Sequence, residues 1–134
     1  MTVKLGTESI RTIALFERIT RVHARDCLIT EKCVYFLVDS GKVGLAVGKN
    51  GSNIREVKKI LGKPVKVYEY SNDPSTLVNN IVPNIKSMDI NNSTMTLTVP
   101  NEDKIMIIGK NGNNIKALNK ILSRHSSINK IRLR

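Results

Sequence analysis

Apolar residues along this chain follow two spacings, one helical and one close to strict alternation, and the order in which they occur is the first guide to architecture. Ile10, Ile13, Ala14, Leu15, Phe16 and Ile19 lie largely on one side of a helix with charges between them, which predicts a helix over residues 8–21. Residues 25–30 and 33–39 are short, rich in β-branched and aromatic residues, and parted by the polar Glu31-Lys32, so they predict two strands about a turn. After Gly41 a short helix over residues 43–47 leads into Gly48-Lys49-Asn50-Gly51, and a longer helix follows over residues 52–61. Gly62 stops it. In residues 63–70, Val65, Val67 and Glu69 alternate with Lys66, Tyr68 and Tyr70, the pattern of a closing strand.

The same order then returns. Residues 47–61 align without gaps to residues 108–122 at a constant offset of 61, and nine of the fifteen pairs are identical. The second copy predicts a helix over residues 74–82, strands over 85–90 and 94–99, and a short helix over 103–108. Gly109-Lys110-Asn111-Gly112, a helix over 113–123 and a strand over 128–133 complete it. Pro74 suits a first helical turn. The expected class is therefore α+β, with two small units over residues 1–71 and 72–134, each a three-stranded sheet covered by helices. The join at Ser71-Asn72-Asp73-Pro74 spans at most roughly 14 Å, so the units are expected to be near neighbours that pack together.

Composition names the class of partner. The 134 residues carry 22 Lys plus Arg against 11 Asp plus Glu, a formal net charge of +11, which points to a polyanion. Residues 1–71 hold 13 basic and 7 acidic side chains and residues 72–134 hold 9 and 4, so the excess is +6 and +5 and belongs to both units alike. With three Tyr, two Phe and no Trp, base stacking on aromatic platforms is a poor account of binding. Cys27 and Cys33 lack the paired spacing of a zinc site and read as small, reduced, half-buried residues. No apolar run reaches the roughly 18 residues of a membrane span, so a soluble, cytoplasmic protein without membrane contact is expected.

Each Gly-Lys-Asn-Gly joins two helices and places its second glycine at the start of the longer one, where free N–H groups and the positive end of the helix dipole favour an anion. The glycines admit close backbone approach and positive φ, Asn tolerates left-handed geometry, and Lys49 and Lys110 add charge. A hairpin at Asn-Gly is opposed by the helical period that follows. A plain helix-turn-helix corner requires glycine but no lysine. The stretch Gly44–Lys49 is one residue short of a nucleotide P-loop and has Asn50 where a magnesium-binding hydroxyl belongs. Beyond each loop, Ile54, Val57, Ile60 and Leu61, and in the second copy Ile115, Leu118, Ile121 and Leu122, form a stripe expected to be mostly core, with Ile54 and Ile115 at its rim. Arg55, Lys58 and Lys59, matched by Lys116 and Lys120, form a positive lane beside it.

A short helix, a Gly-x-x-Gly loop, a longer helix and three strands resemble the KH domain, whose loop clamps about four backbone nucleotides of single-stranded nucleic acid. The leading helix and strand are similar to the type II arrangement. Two such modules in close tandem, each with Gly-Lys-Asn-Gly, resemble the RNA-binding half of the NusA family of transcription elongation, termination and antitermination factors across almost the whole chain. Bacterial members carry further N-terminal polymerase-binding and S1-type segments without a counterpart here, so the resemblance is to the short archaeal members. It implies two type II KH domains over residues 1–71 and 72–134, with single-stranded RNA as partner and RNA polymerase as a candidate second partner. Gly48, Lys49, Asn50 and Gly51 would track one stretch of backbone, and Gly109, Lys110, Asn111 and Gly112 another, with bases over Ile54 and Ile115. A monomer without cofactor is expected.

Two other readings stand beside it: a ribosome-associated or rRNA-maturation KH protein, and an adaptor that docks a protein. Catalysis has no constellation to rest on. His23 and His125 lie in unrelated places, and Asp39, Asp73 and Glu102 fall near turns or caps.

Overall fold

The structure, a computed structural model, describes residues 6–134. The chain runs α1 (Thr7–Thr20), β1 (Ala24–Ile29), β2 (Val34–Val38), α2 (Val43–Val47), a 3₁₀ turn (Lys49–Gly51), α3 (Ser52–Leu61) and β3 (Val65–Glu69). It continues with α4 (Pro74–Ile81), β4 (Ser87–Asn91), β5 (Thr94–Thr98), α5 (Asn101–Ile108), a second 3₁₀ turn (Lys110–Gly112), α6 (Asn113–His125) and β6 (Lys130–Leu133). Contacts divide it into two units between Ser71 and Asn72.

In the first unit the sheet order is β1-β2-β3, with β1 antiparallel and β3 parallel to the central strand. The antiparallel step needs only the Glu31-Lys32 turn, closed by the Thr30 N–H to the Cys33 carbonyl at 2.9 Å. A parallel step cannot be made by a turn, and α2, the 3₁₀ turn and α3 supply the crossover. All five residues of β2 are buried, as expected of a strand with neighbours on both sides. Val34, Phe36 and Val38 join Ile13 and Phe16 of α1, Ala46 of α2 and Val57 of α3 in one core. Phe16 stacks on Phe36 with ring centroids 4.1 Å apart.

Two departures from the hydropathy pattern occur in α1. Thr12 and Thr20 are buried, while Ile10 is 56% exposed. The hydroxyls can be buried because each donates one turn back, Thr12 Oγ1 to the Glu8 carbonyl and Thr20 Oγ1 to the Phe16 carbonyl, both at 2.8 Å. Beyond Thr20, Arg21 takes a left-handed conformation (φ 63°) and ends the helix.

The second unit repeats the topology as β4-β5-β6, again antiparallel then parallel. Its boundaries move for local reasons. Helix α5 begins at Asn101, two residues before the expected start, because Pro100 in extended geometry takes the N-cap and sets Glu102 and Asp103 in the favourable first turn. Helix α6 runs to His125, past the expected end at 123. In α3 the left-handed Gly62 (φ 71°) caps the helix by donating to the Lys58 carbonyl, whereas Ser123 stands at the equivalent position and the helix passes through it. Strand β6 accordingly starts at Lys130.

The stripes differ as well. Leu118, Ile121 and Leu122 are buried, but in the first unit only Val57 is fully so, and Ile60, the counterpart of Ile121, is 51% exposed. The expectation that most of that stripe is core therefore holds for the second unit and fails at Ile60. None of the helices among the described residues is long and apolar enough to cross a membrane.

Two substitutions separate packing from backbone conformation. Phe36→Ala removes a fully buried ring and is expected to lower stability by about 3–5 kcal/mol. Gly62→Ala meets nothing within 4 Å and bears only the left-handed penalty, about 1 kcal/mol, so urea denaturation should rank the two clearly.

Candidate nucleic-acid interface

The crossover turns twice through nearly the same backbone. Gly48 lies at φ 80°, ψ 170° and Gly109 at φ 76°, ψ 170°, a region open almost only to glycine. Asn50 (φ 55°, ψ 28°) and Asn111 (φ 56°, ψ 25°) follow in left-handed geometry, as do Gly51 (φ 74°, ψ 16°) and Gly112 (φ 73°, ψ 17°). Corresponding angles agree to within 4°. In each turn the second glycine's N–H donates to the first glycine's carbonyl, at 3.0 Å from Gly51 to Gly48 and 3.1 Å from Gly112 to Gly109.

Gly51 and Gly112 are the N-caps of α3 and α6 and offer no side-chain oxygen to the first-turn amides. The Ser52 and Asn113 N–H groups are taken by the Lys49 and Lys110 carbonyls, and the positive end of each helix dipole still falls at the turn, which suits an anion. Lys49, Asn50, Lys110 and Asn111 are all exposed between the glycines. Ile54 and Ile115, in the first turns of the long helices, are half-buried.

Arg55, Lys58 and Lys59 are exposed along α3, at a spacing that keeps them on one face. Together with Gly62, Lys63 and Pro64 they line an open cleft of about 510 Å³ at the far end of the helix. Two of its cations already have partners: Arg55 Nη1 donates to the Asn50 carbonyl at 2.5 Å, and Lys63 Nζ to the Thr30 carbonyl at 2.8 Å. In α6, Lys116 passes Gly112, with Cε 3.8 Å from where a Cβ on that glycine would lie, and Lys120 is exposed one turn on. Between them Asn119 occupies the place of Lys58, and its Oδ1 accepts the Ile131 N–H at 2.8 Å, binding α6 to β6.

Four residues beside the turns escape a reading of periodicity. Leu45 (60% exposed) and Met106 (57%) hold equivalent places just before the glycines, and Asn53 and Asn114 equivalent places just after. Identity of the two asparagines within the repeat was the available signal. Carboxylates away from the turns serve local structure. Asp73 caps α4 by accepting the Thr76 N–H at 3.0 Å, and Arg25 bonds Asp39, holding its carboxyl below the ordinary value.

A model of the KH domain matches residues 10–88. The chain is 33% identical to the probable transcription termination protein NusA of Methanocaldococcus jannaschii, over 98% of this chain and 75% of that one. Proteins of the same description from Thermoplasma acidophilum (32%, covering 96% and 94%) and Halobacterium salinarum (31%, covering 99% and 99%) are similar throughout. The crystal structure of APE1850 superposes with a TM-score of 0.82 at 33% identity, over 97% of this chain and all of that one. Helix-strand-strand-helix-helix-strand units with a parallel closing strand, repeated about two Gly-Lys-Asn-Gly turns, are thus found in a chain that belongs to the KH-domain family, in its archaeal NusA-like branch.

Proposed function

We propose that the protein binds single-stranded RNA through two type II KH domains, residues 1–71 and 72–134, and acts on nascent transcripts. The observation that carries this reading is the recurrence of one unusual backbone turn, with an exposed lysine, at the start of both long helices. Gly48 and Gly51, or Gly109 and Gly112, bring no side chain of their own between the backbone and a phosphate, while Lys49 or Lys110 and the helix end supply positive potential. Asn50 and Asn111 extend polar groups to the same strand. Bases would lie on the apolar rim of Ile54 or Ile115, with Leu45 or Met106 on the other side of the turn.

Arg55, Lys58 and Lys59, and in the second domain Lys116 and Lys120, would meet flanking phosphates. Joined by a four-residue link, the domains would engage one strand in succession, and the second engagement gains from the first by roughly 10²- to 10⁴-fold. The relatives' description as transcription termination proteins supplies the process, with RNA polymerase a candidate partner. On this reading the chain is a monomeric cytoplasmic binder without catalytic activity.

Replacing Lys49-Asn50 and Lys110-Asn111 by Asp-Asp should abolish binding of a single-stranded RNA oligonucleotide while the helical circular dichroism persists. Undiminished affinity would refute the reading. In a salt titration, Lys49→Ala should flatten the slope of log K against log salt by about 0.7, the value for one phosphate contact on a single strand.

A further inference from the structure

We infer that Asn53 and Asn114 are positioning residues that lock the two Gly-Lys-Asn-Gly turns into their binding shape. The lock itself rests on geometry, and its consequence for affinity rests on the RNA-binding reading above. Asn53, in the first turn of α3, donates from Nδ2 to the Leu45 carbonyl of α2 at 3.2 Å, and Asn114 of α6 donates to the Met106 carbonyl of α5 at 3.0 Å. Each bond spans eight residues and ties the outgoing helix to the incoming one across the turn.

The acceptors explain the need. Carbonyls in the last turn of a helix have no intrahelical amide to receive. The Gly44 carbonyl is met by the Gly48 N–H at 3.0 Å and the Ile105 carbonyl by the Gly109 N–H at 2.9 Å. One residue on, the chain has swung away at the glycine, and the asparagine side chain takes the part of the missing amide. Aspartate would present only acceptors to that carbonyl, and alanine nothing.

The same side chains account for the first glycine in each turn. A Cβ at Gly48 would sit 2.8 Å from Asn53 Cγ, and one at Gly109 would sit 2.8 Å from Asn114 Cγ. The glycine makes room for the asparagine, and the asparagine fixes the path that only glycine can follow. Lys49 and Asn50, or Lys110 and Asn111, are held on a closed bracket, so less ordering is left for the moment of binding. The first turn has a second latch in the Arg55 bond to the Asn50 carbonyl, whereas lysine stands at that place in the second. Asn114 therefore carries more of its turn than Asn53 does.

The test uses the full chain with Asn53→Ala, Asn114→Ala and the double variant, each single variant leaving the other domain as internal control. Backbone amide exchange should quicken at Gly51 in the first and at Gly112 in the second, with β2 and β5 amides unchanged. Affinity for a single-stranded RNA oligonucleotide should fall roughly three- to tenfold per turn, more for Asn114→Ala, the worth of one net hydrogen bond. The salt slope should stay as in the parent, since no phosphate contact is removed. Unchanged exchange at both glycines overturns the lock, as does faster exchange throughout the core. Faster turn exchange with undiminished affinity overturns the positioning role. If the parent protein fails to bind RNA, the functional reading falls, and amide exchange still decides whether the lock exists.

Discussion

A strand laid parallel to its neighbour cannot be reached by a tight turn, so the chain joining β2 to β3, and β5 to β6, has to travel back along the sheet before it can pair. That return is where the two helices and the glycine turn are placed. Their apolar sides are buried through Ala46 and Val57 in one unit and Ile107 and Leu118 in the other. The corner between the helices has no such commitment. Its backbone passes through angles closed to most residues, and its lysine and asparagine side chains stand exposed. The proposed binding site is thus a by-product of strand direction, refined by the choice of glycine, lysine and asparagine at the corner.

The two copies share this corner and diverge behind it. Lys58 has become Asn119, which is engaged in fastening β6, and the exposed Ile60 has become the buried Ile121. Arg55, whose guanidinium is spent partly on its own turn, has become Lys116. What is kept is the shape of the backbone at the glycines; what varies is the charge and packing along the helix that follows. Two domains alike where they would grip and unlike where they would lead a strand away are not interchangeable halves.

Much of this was legible from spacing alone. The bounds of α2 and α3 follow from a short apolar run and from Gly62, and the left-handed Asn50 and Asn111 from residue type and place. Other features depend on partners distant in sequence. Thr12 and Thr20 read as polar positions until their hydroxyls are seen bonded one turn back, and Ile10 and Ile60 read as core because hydropathy reports composition and not what covers a face. Asn53 and Asn114 lay inside the most similar stretch of the repeat. Their role stayed hidden because nothing in one dimension says that a side chain reaches a carbonyl eight residues upstream.

The unequal lengths of α3 and α6 have a further meaning. Strand β3 begins 13 residues after the first residue of α3, at Val65, and β6 begins 17 after that of α6, at Lys130, so four extra residues lie between turn and strand in the second copy. All four are taken up at the C-terminal end of the helix and in the link beyond it, while the turn and the parallel pairing are preserved. One end of the helix is conserved in form and the other acts as a reservoir for insertion and deletion. A duplicated gene could therefore gain or lose residues in this segment without touching the glycine corner, which gives the fold a built-in margin for divergence.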